Sequence, residues 1–423
     1  MRRGIAAAVV VAALTISASA CSDGSSGSDS SGPVTITWWD TSDATNEAGT
    51  YKALVKEFEK ANPGIRVKYV NVPFGDAQTK FQTAAGSKGA PDVLRADVGW
   101  TPGFAKAGFL APLDGTPAAA ETGKFESNLI EQAKYENKLY GIPQVTDTLG
   151  LMYNKELFAK AGITKAPGTW NELKADMANV KEKTGVDGFA FNPQGYYVMP
   201  FLFGENTDMV DVDAQKITLN SPAAVKGVDT LKGLLAAPGA RKLDTTSNAY
   251  ANIMDAFSSG KVAAIIQGPW ENANVFKGSA FKDKANLGIA PLPAGSAGHG
   301  APLGGHNLVA YAGSDQAHQE ASQKFIAFMT SATSQEKAAT ANGTLPTRED
   351  AYTIPVLRNP GIAGYQDLLS QGVPRLPLPE YSSLYTPLET QLIKIVSGQE
   401  GTASGLDKAA AEAKRLLPDY STS

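Results

Sequence analysis

Residues Val34–Val70, VTITWWDTSDATNEAGTYKALVKEFEKANPGIRVKYV, change hydrophobic period twice, and those changes decide the fold. Val34, Ile36 and Trp38 alternate with Thr35 and Thr37, as on one face of a strand. Tyr51, Leu54, Val55 and Phe58 then recur at i, i+3, i+4 and i+7, a helical stripe that Asn62-Pro63-Gly64 stops. Ile65, Val67 and Tyr69 alternate again. A short helix is expected around Thr79 to Ala85, and Pro91 opens the run PDVLRAD. Strand, helix, strand, helix, strand defines an α/β fold with a mostly parallel sheet covered by helices.

The rhythm returns further along. Thr169-Trp170-Asn171-Glu172 reads as a capping box for a helix running to about Lys183, and Trp170 in its first turn reads as packing. Tyr250, Ile253, Met254 and Phe257 form another stripe, Gly260 ends it, and VAAIIQG follows as a buried strand. Late helices are expected at Gln316 to Ser331, Leu384 to Val396 and Ser404 to Leu417. With 423 residues, 43% hydrophobic content, 42 glycines and 25 prolines, the chain has material for two globular units rather than one core.

The N-terminus reads as an export signal over residues 1–20: Met1-Arg2-Arg3, an apolar core from Ile5 to Ile16, then small residues. That core is too short to span a bilayer once the cleavage region is counted. Ala18-Ser19-Ala20 fits ordinary cleavage and release, but ASAC also resembles a bacterial lipobox. Cys21 is the only cysteine, so it has no intrachain disulfide partner, and residues 21–32 continue as a Ser/Gly-rich linker. A lipidated Cys21 tethering the protein to the membrane explains both, and the expected location is the outer face of the bacterial cell membrane.

Without Arg2 and Arg3 the formal charge moves from -4 to -6, and no basic run occurs, so nucleic acid is not an expected partner. There is no Gly-x-Ser-x-Gly elbow, His-Glu-x-x-His, phosphate-binding loop or Cys/His cluster, and no cofactor or metal is expected. His299, His306 and His318 read as solvated or structural imidazoles. A glycosidase carboxylate pair stays open, because such pairs are set by distance in space. Asp97, Asp147 and Glu271 would be its members.

Aromatic residues gather at strand ends and in loops: Trp38-Trp39, Trp100, Tyr196-Tyr197, Trp270 and Tyr385. Asp40, Asp43, Asp97, Asp147 and Glu271 lie near them in sequence. Aromatic faces pack on the apolar faces of sugar rings while carboxylates accept their hydroxyl protons, so the combination suits a carbohydrate. Of Trp38 and Trp39 only one can face a site, since strand neighbours point oppositely.

The segments ANPGIRVKYV, GAPDVLRADVGW, LYGIPQVTDTLGLMYNKELF, FNPQGYY, AFSSGKVAAIIQGPWENANVF and GGHNLVAYAGS, in this order, resemble extracellular solute-binding proteins of ABC sugar importers, within them the maltose/maltodextrin branch. The resemblance implies a type II periplasmic-binding-protein-like fold of two α/β lobes about a hinge. It places one lobe at 33–145 plus 306–347 and the other at 146–305 plus 348–420. YGIPQVTD, GGHNLVA and the stretch around Leu345 to Arg348 are its expected crossings. It further implies sugar contacts from Asp43, Asp97, Trp100, Asp147, Tyr197, Trp270 and Tyr385. Gly195 and Tyr385 depart from the carboxylate and tryptophan of that branch, which leaves preferred chain length open. The implied protein is a monomeric, non-enzymatic receptor that delivers maltose or maltodextrin to a membrane permease with a cytoplasmic ATPase. Its alternatives are another oligosaccharide, presentation to a sensor, or a secreted glycoside hydrolase.

Overall fold

The computed structural model describes residues 32–87 and 89–423; the export signal, Cys21 and most of the Ser/Gly linker lie outside them. The strands that position the site are β1 (Val34–Asp40), β2 (Ile65–Asn71), β3 (Val93–Asp97), β4 (Gly141–Asp147), β5 (Gly150–Asn154), β6 (Ala264–Gln267), β7 (Leu287–Ala290), β8 (Ala301–Ala310) and β9 (Gly372–Pro374).

The first lobe is built on β2-β1-β3-β8-β4. Strand β1 pairs in parallel with β2 and β3, whereas β8 runs antiparallel to both β3 and β4. Helix Ala48–Ala61 lays Tyr51, Leu54, Val55 and Phe58 on one face, as its stripe dictates, and Asn62 ends it by returning its side-chain amide to the Phe58 carbonyl. Trp38 is fully buried in that layer, edge-on to Tyr51, Tyr69 and Phe325, and Trp39 on the opposite face is half-buried. The helix expected at Thr79 to Ala85 begins earlier, spanning Phe74–Gly86. Pro73 precedes it, and Asp76 in the first turn complements the helix dipole.

In the second lobe β5 lies between β6 and β7, antiparallel to both, and bridges from Asp187 and Ala190 add a parallel neighbour beside β6. Each sheet thus has one strand against the grain, and in each case it is a strand that meets the hinge. The chain crosses between lobes from β4 to β5, and along β8, whose first residues pair with β9 before it enters the first-lobe sheet. A third crossing passes Leu345, whose carbonyl accepts the Thr146 amide at 3.1 Å. Gly305 in β8 has φ +128°, and a Cβ there would lie 2.2 Å from the Val145 carbonyl oxygen, so only glycine fits this crossing.

Helix Trp170–Thr184 carries the expected capping box: Thr169 Oγ1 accepts the Glu172 amide at 3.1 Å, and Glu172 Oε2 accepts the Thr169 amide at 3.2 Å. Trp170 stacks on Phe201 with centroids 4.1 Å apart, inside the core. Thr169→Ala should cost about 1 kcal/mol, read as a shift of the urea midpoint, because the Glu172 amide loses its cap.

Candidate functional site in the cleft between the lobes

Strand β3 ends at Asp97, whose carboxylate accepts the Gly99 amide at 2.8 Å and so shapes the turn Val98–Trp100. Facing it from beyond β9 is Arg375, with Nη1 at 2.5 Å and Nη2 at 3.1 Å from the two Asp97 oxygens. Both side chains are less than a tenth exposed. The guanidinium lies over the Tyr196 ring at 5.2 Å, and the Tyr196 hydroxyl is 3.4 Å from Asp147 Oδ1 at the end of β4. A Cβ on Gly304 would sit 2.2 Å from Asp147 Oδ1, 2.7 Å from the Tyr196 hydroxyl and 3.1 Å from Arg375 Nη2. The bare backbone of β8 is what lets an acid, a phenol and a guanidinium meet at the hinge.

Burial lifts the Asp147 carboxyl from 3.8 to about 7; Arg375 opposes this and Asp97 reinforces it. Between those values the unfolded chain releases a proton that the folded protein keeps, so stability falls as pH rises through this window. Asp208, lifted by burial to about 6 against its hydrogen bond from Tyr381, acts in the same direction. Asp147→Asn should therefore flatten the upper part of the decline, measured as urea midpoints at about pH 5 and about pH 8. An unchanged slope would remove Asp147 as its source.

On the second lobe, β6 ends at Gln267, and after Gly268 the turn Pro269–Glu271 lifts Trp270 out of the strand. The indole lies across Gly268, where a Cβ would meet Trp270 Cζ3 at 1.9 Å. Trp270 Nε1 donates to the Tyr250 hydroxyl at 2.8 Å, which donates to Glu271 Oε1 at 2.7 Å, and Asn274 holds the other Glu271 oxygen. Glu271 thus fixes the indole from behind. Tyr196 stands 6.4 Å from both Trp270 and Tyr385, giving three half-buried rings in succession. The Tyr385 hydroxyl, Arg375 Nε and both His306 nitrogens are buried with no hydrogen-bond partner among the described residues. The lobes touch through Lys277 with Asn46 at 2.6 Å, Lys106 with Glu380 at 2.7 Å and Ser382 with the Gly99 carbonyl at 3.0 Å.

Asp97, Asp147, Trp270 and Tyr385 come together here, but three other expected contacts do not. Tyr197 is 3% exposed and its hydroxyl donates to Gln267 at 2.9 Å, so it belongs to the core. In helix Gly195–Phe203 every residue but Tyr196 and Phe203 is buried, and it is Tyr196 that reaches the cleft. Trp100 is 6% exposed, packed beneath Phe74. Asp43 is exposed, and its Oδ1 is occupied by Thr45 and Asn46 in its own turn. His306, expected to be solvated or structural, lies within the crossing strand beside this cluster. Arg375 was missed altogether; a lone cation within GVPRLPLP was its signal.

A groove of 780 Å³ on the second lobe, lined by Arg241, Asp244 and Asn252 among others, shares no residue with the cleft cluster. Within its lining Asp187 and Arg241 are paired with each other, and Asp187 also with Lys181. Among the described residues no group of acidic, His or Cys side chains is arranged to hold a metal, and no helix is long and apolar enough to cross a membrane. What the cleft offers is stacking faces beside hydrogen-bonding charge, the equipment for holding a polyhydroxylated ring.

Residues 43–336 match the bacterial extracellular solute-binding protein family, and the chain belongs to it. It is a receptor of the kind that serves sugar ABC transporters, in the type II two-lobe fold, and the family is exported. The GacH receptor of Streptomyces glaucescens GLA.O, solved unliganded and with acarbose, is 40% identical with a TM-score of 0.87, over 92% of this chain and 99% of its own. The diacetylchitobiose binding protein DasA of Streptomyces coelicolor is 27% identical over 94% of this chain and 95% of its own. A maltooligosaccharide ABC transporter solute-binding lipoprotein of Streptococcus pneumoniae R6 is 26% identical over 87% and 86%.

Proposed function

We propose that the chain captures a malto-oligosaccharide, or a pseudo-oligosaccharide of the acarbose kind, between its lobes and hands it to an ABC permease driven by a cytoplasmic ATPase. The observation that carries this is the row Trp270, Tyr196 and Tyr385 facing the hydrogen-bonding set Asp97, Arg375 and Asp147. The 40% identity to a receptor crystallised with acarbose supports an α-glucan-like ligand. The lobes are 33–145 with 306–347 and 146–305 with 348–420. Sugar favours the closed arrangement by touching both, and the closed form is what the permease reads. No bond is made or broken. Asp97 is committed to Arg375, and Glu271 to Tyr250 and Asn274, which takes two of the three candidate acids out of glycosidase chemistry. The mature protein is a monomer tethered by lipid at Cys21, which raises its effective concentration near the permease.

Intrinsic tryptophan fluorescence tests the reading. Mature protein would be titrated with maltose, maltotriose, longer maltodextrins and acarbose, with diacetylchitobiose and cellobiose as controls. A saturable change confined to the first group is expected; a response only to diacetylchitobiose would sink the α-glucan assignment.

A further inference from the structure

Phe74 opens the helix Phe74–Gly86, just past the carboxyl end of β2, and is 47% exposed, whereas Phe58, Phe81 and Phe104 of the same lobe are all but fully buried. One of its faces lies on Trp100, with centroids 5.0 Å apart and planes at 26°. Trp100 is in turn wedged against Phe104, so the Phe74 ring rests on a rigid support. His306 meets Phe74 at 5.7 Å with planes at 76°. His306 is the register partner of Asp97 across β8 and β3, which puts this trio at the cleft. Neither imidazole nitrogen has a hydrogen-bond partner among the described residues, although both are buried.

A half-exposed aromatic ring propped from behind, with an unpartnered imidazole at its edge, repeats on the first lobe what Trp270 presents on the second. We propose that Phe74 and His306 form a first-lobe sugar subsite, Phe74 stacking on a pyranose ring and His306 hydrogen-bonding its hydroxyls. This rests on the oligosaccharide reading above. Trp100 acts through Phe74 as a positioning residue, which is why it is buried rather than presented. Burial, with Arg95 and Arg375 nearby, holds the His306 imidazole well below its usual range. It is therefore neutral, with one nitrogen donating and the other accepting, a match for hydroxyls that are both donors and acceptors.

The test is calorimetric titration of wild type, Phe74→Ala and Phe74→Trp with maltose, maltotriose, maltotetraose and acarbose, with melting temperatures recorded for each. Phe74→Ala should weaken the tightest sugar about tenfold at an unchanged melting temperature, and Phe74→Trp should restore binding to within about threefold of wild type. Rescue by tryptophan separates stacking from a structural role. If wild type binds these sugars and Phe74→Ala binds every one as well as wild type does, the subsite is overturned while the receptor reading stands. If wild type binds none of them, both fall together.

Discussion

Arg375→Met should destabilise the protein by about 3–5 kcal/mol, because it leaves the Asp97 carboxylate buried without its cation. The pair is bidentate and both partners are less than a tenth exposed, so solvent screening does little to soften the loss. The same guanidinium lies on Tyr196 and beside the Asp147 end of the hinge, so its removal also loosens two cleft groups. Asp97→Asn in the Arg375→Met background should recover much of the stability, since the stranded charge goes with it. Urea unfolding of the two single variants and the double variant measures this. Because the pair joins the lobes, small-angle scattering should show a larger radius of gyration for Arg375→Met. A single variant as stable and as compact as wild type would show that the ion pair holds nothing together.

Trp270→Ala should reduce sugar affinity by on the order of a few kcal/mol, a hundredfold or more, with little change in unfolding. The indole rests on a glycine and is tied by one hydrogen bond to Tyr250, so its deletion opens no deep cavity. A milder variant, Tyr250→Phe, removes the hydroxyl that joins Trp270 Nε1 to Glu271 and should lower affinity by about tenfold through indole mobility alone. Calorimetry with the best ligand from the fluorescence survey decides it. Unchanged affinity in Trp270→Ala would remove the stacking role.

How much of this was legible depended on period and break. The α/β class came from Val34–Val70, where strand and helix periods alternate without ambiguity, and the capping box at Thr169 named its own helix start. The place of Trp270 was legible because Gly268-Pro269 must end a strand, leaving the indole just beyond it and half-buried. Tyr196 and Tyr197 could not be ranked from the dipeptide, because the helix that holds them is apolar and buried on nearly every side. That Trp100 lies buried beneath Phe74 was not legible, because 26 residues separate two rings that stack only once β2 and β3 are assembled around β1. Arg375 belongs to a segment nearly 280 residues from Asp97, and nothing local announces that pairing.

Strand β8 lies between β3 and β4 in the first-lobe sheet, yet it is made more than 150 residues after either. A chain emerging from the ribosome therefore cannot close that sheet until about three quarters of its length exists, and the closing step is a long-range pairing of the kind that is entropically slow. The missing central strand works as a delay: Leu94, Ile142 and their neighbours have no partner to collapse onto in register. In a family that is exported, this late closure keeps the first-lobe sheet open for most of the time the chain is being made.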